Sequence, residues 1–133
     1  MSLNVKSEVR SVLIANAGVN TIVGTGAAVR IWSRWPRTYT TPCIVMECDS
    51  DAEQNDLSGK SLLTISDFTI TCRADTDNGA RALSDAVRAV LAGYSGTFDA
   101  VLDSVADAEV PKAEGSADYF CDRVQSWTML WNP

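Results

Sequence analysis

Apolar and polar side chains alternate with a period of two after Leu62, then recur at spacings of three and four beyond residue 80. In LLTISDFTITCRA (62–74), Phe68, Ile70, Cys72 and Ala74 alternate with Thr69, Thr71 and Arg73, the pattern of a half-buried strand. Leu63 and Ile65 have the opposite parity to Phe68 and Ile70, which predicts a bulge or kink near Ser66-Asp67. Ala80, Leu83, Val87, Val90 and Leu91 then form one stripe of an amphipathic helix. Thr76 or Asp77 suits its N-cap, Asp77 and Arg81 make a favourable pair one turn apart, and Gly93 suits its end.

The same reading extends along the chain. Val5, Val9, Val12 and Leu13 predict a first helix over 4–15, with Asn4 as cap and Asn16-Ala17-Gly18 as stop. A short helical turn, Val19–Val23, follows and ends at Gly24-Thr25-Gly26. Strands are expected over Val29–Trp32, Cys43–Cys48, Phe98–Asp107 and Tyr119–Trp131. The segment 34–42, with Pro36 and Pro42, reads as irregular, and the acidic 49–60 as a solvated loop. The order is helix, short helix, three strands, helix, two strands. It predicts one α+β domain over 1–133. A mainly antiparallel sheet of about four to five strands would carry one long N-terminal helix and one central helix on one face.

Composition fits a folded chain: 46% apolar and 21% charged residues over 133 positions. No apolar run approaches the roughly 20 residues that span a bilayer. The N-terminus lacks a basic stretch followed by an apolar one, so a soluble intracellular site of synthesis and no membrane partner are expected. The net charge of −6 argues against general duplex binding, which rests on neutralising phosphates. The charge is unevenly placed. Residues 1–37 hold Lys6, Arg10, Arg30, Arg34 and Arg37 against Glu8 alone, and most carboxylates come later. Two faces of opposite sign would suit head-to-tail self-association or docking to a charged partner, with ordinary surface variation as the plain alternative.

Candidate chemistry is sparse. There is no histidine, and Cys43, Cys48, Cys72 and Cys121 form no CxxC pair, so no metal site is expected. Buried free thiols in strands are the expected state, with a cross-strand disulfide as the alternative. Gly59-Lys60-Ser61 lacks the earlier glycine and the following helix of a phosphate loop. Asp49, Asp51 and Glu53 have calcium-loop spacing, but Gln54 and Lys60 stand where that loop needs glycine and glutamate. No cofactor and no enzyme activity are called for.

The sharpest local signal is Arg30-Ile31-Trp32-Ser33-Arg34-Trp35-Pro36-Arg37. Interleaved arginine and tryptophan can stack bases and grip phosphates, anchor a protein interface, or cover an open core edge. Trp127, Met129 and Trp131 share one strand face, either as core or as an exposed aromatic patch. Candidate interface residues are therefore Arg30, Trp32, Arg34, Trp35 and Arg37, the acids Asp49, Asp51, Glu53 and Asp56, and Trp127 and Trp131.

The ordered set resembles the tail terminator (tail-completion) family of long-tailed bacteriophages. The helix followed by NAGVNTIVGTG is similar to that family's start. VRIWSRWPRTYTTP, then CIVMECDSD and a loop closing on Leu57-Ser58-Gly59, continue the likeness. FTITCRADTDNGARALSDAVRAVLAG and the closing RVQSWTMLW complete it. The resemblance implies a structural virion protein at the neck of the tail. It would form a ring, of six copies in the family, that caps the head-proximal end of the tail tube. The ring would end tube growth and meet both the tail tube protein and the head/neck connector. DNA would pass its lumen without specific binding, and the acidic regions 49–60 and 99–118 are candidates to face it. The alternatives are another neck ring such as a head-closure protein, or a small nucleic-acid-binding module using Arg30–Arg37.

Overall fold

The structure, a computed structural model, describes residues 5–24, 29–56, 59–94, 96–115 and 117–131, with the backbone path alone over 50–56 and 59–63. The elements are α1 (Val5–Ala15), α2 (Ala17–Val23), β1 (Ile31–Trp32), β2 (Cys43–Asp56), β3 (Gly59–Ala74), α3 (Asp77–Ala92), β4 (Phe98–Pro111) and β5 (Tyr119–Trp131). One sheet runs β1-β2-β3-β5-β4. Every neighbouring pair is antiparallel except β1–β2. The α+β fold expected from the chain is the one found.

The helices cover one face. Val5, Val9 and Leu13 of α1, Val19 and Val23 of α2, and Leu83, Val87 and Leu91 of α3 meet Ile44, Met46, Phe68, Ile70, Trp127 and Met129 of the sheet. Fully burying side chains of this kind stabilises the fold by about 1.5–3 kcal/mol each. Gln125 carries a polar side chain into this core, and both ends of its amide are hydrogen-bonded. Gln125 Nε2 donates to Ser84 O at 2.9 Å and Oγ at 2.7 Å, while its Oε1 accepts from Trp127 Nε1 at 2.8 Å.

Local chemistry accounts for the helix boundaries. Asn16 both stops α1 and starts α2: its side-chain oxygen accepts from the Val19 amide at 3.1 Å. Gly24 closes α2 with φ 91°, a conformation that favours glycine. Thr76 caps α3, accepting from the Gly79 amide at 3.0 Å, and Arg81 bonds Asp77 at 2.9 Å. Gly93 ends α3 at φ −93°, which any residue can adopt. Thr76→Ala should therefore cost about 1 kcal/mol in urea unfolding, and a change of only a few tenths would show that the cap does not hold the helix.

Several expectations are corrected. The N-terminal helix has 11 residues and the central one 16, so the long helix is the central one. The strand expected from Val29 begins at Ile31, and β4 runs past Asp107 to Pro111. The acidic stretch, over its described residues 49–56 and 59–60, is not a loop. Its backbone forms the upper half of a long β2–β3 ladder, with Asp51 opposite Ser66 and Asp56 opposite Gly59. Ladder bonding is a backbone property, so a polar run can pair wherever its partner strand is in reach. The irregularity expected at Ser66-Asp67 lies across the ladder instead. The register shifts in β2 between Cys48 and Ser50, whereas β3 pairs with β5 without interruption from Thr64 to Ala74. The proposed cap Asn4, and Thr25, Gly26, Leu57 and Ser58, lie outside the described residues.

Candidate functional site: two faces and two edges of one sheet

The helix-free face of the sheet is divided in two. On one half, Arg73 is buried although its position alternates away from the core. Cys43 and Asp122 stand opposite it in the two flanking strands and are buried as well. Arg73 Nε and Nη2 each donate to one oxygen of Asp122 at 2.7 Å, and Nη1 donates to Tyr39 Oη at 2.7 Å. The guanidinium carbon lies 4.0 Å from the Trp35 ring centroid and 5.1 Å from that of Phe120. Tyr39 also packs on Trp35, Phe120 and Trp32, with centroids 5.4, 5.9 and 6.2 Å away. The irregular segment 33–42 is thus clasped onto the sheet by a caged cation. Burial pulls the Arg73 pKa down, the Asp122 carboxylate and the Tyr39 hydroxyl push it up, and the net shift is upward.

The other half of that face is open. It carries Glu47, Asp49 and Asp67, all exposed, together with Thr69, Ser126 and Thr128. Asp49 accepts from Thr69 Oγ1 at 2.6 Å, and Asp103 accepts from Thr128 Oγ1 at 2.6 Å. Among the described strand residues, Arg73 is the only basic one that the register places on this face, and it is inside the clasp.

The two edges differ. At one, α1 lies beside β1. Lys6 Nζ donates to Ser33 O at 3.1 Å and Arg10 Nε to Ile31 O at 3.0 Å. Two adjoining hollows open there and share Arg10 and Ser33; Lys6 lines one, Trp32 and Arg34 the other. At the far edge, β4 pairs with β5 alone over 14 residues. Its acids Asp99, Asp103, Asp107 and Glu109 are all exposed, and it contains no basic residue. Asp107 is held below the usual carboxylate range by the hydrogen bond from Arg123, 2.9 Å away, with Arg81 nearby.

The residues singled out from the sequence separate accordingly. Arg34 and Arg37 are exposed, with no hydrogen bond or ion pair among the described residues. Arg30 is an internal tie, donating from Nε to Pro42 O at 2.7 Å and from Nη2 to Ile22 O at 3.0 Å. Trp32 and Trp35 are half-buried against Tyr39. Trp127 is core, 1% exposed, so it offers nothing to a partner. Trp131 packs at the core margin and donates to Ser66 Oγ at 2.7 Å. Asp49 lies on the open face, while the side chains of Asp51, Glu53 and Asp56 fall outside the described residues. The segment 30–37 is therefore not one surface. The sequence reading missed Tyr39, Arg73, Phe120 and Asp122; Arg73 and Asp122 stand in strands that carry other charged and polar side chains, so spacing alone did not single them out.

All four cysteines are free. Burial pushes the Cys43 thiol up to about 11 and raises that of Cys72 as well, so neither is primed for nucleophilic chemistry. Among the described residues, no group of histidine, cysteine or carboxylates could hold a metal ion, and no helix is long and apolar enough to cross a membrane.

No curated protein matches the chain. A solved chain of "Virion of native gene transfer agent (GTA) particle" superimposes with a TM-score of 0.64 at 19% identity, covering 93% of this chain and 92% of that one. That likeness establishes a shared fold. The sequence profile of the tail completion protein gp17 family matches residues 7–118. With that match spanning most of the sheet and reaching all three helices, the chain belongs to the tail completion protein gp17 family, as a structural component of the bacteriophage virion tail.

Proposed function

We propose that the chain, acting as one domain, forms a closed ring at the head-proximal end of the tail tube, stops tube growth there and joins the tail to the neck of the filled head. A ring needs two different patches on one protomer, related by a rotation that closes. The basic α1–β1 edge and the acidic β4 edge sit at opposite ends of one sheet, and that separation is the observation that carries this reading. Six copies are the number the family resemblance implies. With sheets set side by side, the open half-face bearing Glu47, Asp49 and Asp67 would line the bore. Its carboxylates would repel passing phosphates, so that DNA slides without sticking. The ring's two rims would meet the tube protein on one side and the connector on the other.

The nucleic-acid reading has less support, since of the arginines and tryptophans in its segment only Arg34 and Arg37 are exposed. Trp32 and Trp35 pack against Tyr39, and Arg30 is spent on backbone carbonyls. The deciding experiment adds purified protein to polymerising tail-tube subunits and images tube lengths. A terminator leaves short tubes bearing a ring at one end. Tubes that grow to the same length with and without it would overturn termination and favour a head-closure role.

A further inference from the structure

We infer that the acidic β4 edge of one copy docks into the α1–β1 groove of a second copy, with Asp99 and Asp103 set against Lys6 and Arg34. This rests on the ring reading above and names its contact surface. Four observations lead to it.

The first is the contrast between the edges. An exposed edge strand presents unpaired backbone donors and acceptors, a template for another chain. β4 has that character along 14 residues. The β1 edge is only two residues long, and the carbonyls of Ile31 and Ser33 accept from Arg10 and Lys6. That edge is closed to strand addition, so two β1 edges cannot pair, and what it presents instead is positive charge beside a groove.

The second is which carboxylates remain available. Asp107 is committed to Arg123 and Arg81 of its own chain. Asp103 has a hydroxyl partner, Thr128, which leaves its negative charge uncompensated. Asp99 is exposed at the start of the strand. Val101 lies between them at 50% exposure, an apolar contact that docking would cover. The third is the receiving side. Arg34 is exposed without a partner among the described residues, and half-buried Trp32 lines the same hollow. Arginine and tryptophan are the usual anchors of a protein contact.

The fourth is topology. Docking opposite edges is heterologous, so each copy uses one edge as donor and the other as acceptor. Pairing β4 with β4 would bring like carboxylates together, which the charges disfavour. A second copy is therefore the occupant that complementary charge selects.

The test is charge reversal with rescue, read by native mass spectrometry and sedimentation across a concentration series. Lys6→Glu with Arg34→Glu, or Asp99→Lys with Asp103→Lys, should each lower the association constant at least tenfold. A chain carrying all four substitutions should recover most of that loss. Circular dichroism confirms that each variant keeps its fold, since none of the four residues is buried. Carbodiimide coupling of mixed 14N and 15N protein should join Lys6 of one copy to Asp99 or Asp103 of another. Wild-type oligomers that persist unchanged in the reversed variants overturn this contact and leave the ring intact. A wild type that stays monomeric both in solution and on tube ends overturns the contact and the ring together.

Discussion

Arg73→Ala should cost about 3–5 kcal/mol in unfolding free energy, because it strands the Asp122 carboxylate in a buried site. The Arg73 and Asp122 side chains are 10% and 5% exposed and form two 2.7 Å bonds, so solvent screens little of the loss. The substitution also empties the space between Trp35, Tyr39 and Phe120. A domain of ordinary stability holds about 5–15 kcal/mol in all, which makes this a large share. A fall in Tm of roughly 10 °C should accompany it. The control is Arg73→Leu with Asp122→Leu together: an apolar pair of similar bulk should recover much of the loss, since no charge is then left buried alone. Guanidinium unfolding of the three proteins decides the matter. A cost below about 1 kcal/mol for Arg73→Ala would mean that the clasp is held by the rings and not by the ion pair.

Trp127→Ala should cost a similar amount, about 3–5 kcal/mol, for a different reason. Trp127 is among the largest fully buried side chains, and it sits between the helices and the centre of the sheet. Removing it leaves a cavity and also strips Gln125 Oε1 of its donor. Trp127→Phe separates the two effects. It keeps most of the volume but not the indole N–H, so it should cost about 1–3 kcal/mol, the penalty of an unsatisfied buried acceptor. Equal losses for both variants would show that volume is irrelevant here and that the hydrogen bond alone carries the energy. Intrinsic fluorescence during urea unfolding of Phe and Ala variants is the measurement, followed through the three remaining tryptophans, Trp32, Trp35 and Trp131.

What was legible in the chain was local. The period of 3.6 from Ala80 to Leu91, the Thr76 cap and the alternation from Phe68 to Ala74 are set by near neighbours, so α3 and the lower half of β3 emerge directly from residue spacing. β5 was legible end to end because Gln125, Trp127 and Met129 alternate cleanly. Residues 49–56 and 59–60 were misread because their side chains are polar, while their pairing depends on which backbone lies alongside. Arg73 was misread for the complementary reason. Alternation correctly put it on the far face, but nothing nearby says that a segment 34 residues earlier folds over to bury it. Of the candidate interface, Arg34, Arg37 and Asp49 stayed on the surface. Arg30 turned inward because its acceptors, Pro42 O and Ile22 O, lie in other segments, and Trp127 because alternation along β5 sets it on the helix-covered face.

The divided face has an engineering meaning. Its fastened half anchors the molecule, and its wet half contributes little to keeping the chain folded. Glu47, Asp49 and Asp67 can accordingly be repainted, acid for base or acid for amide, with the architecture left standing. A channel assembled from such parts would have a tunable lining on a fixed frame.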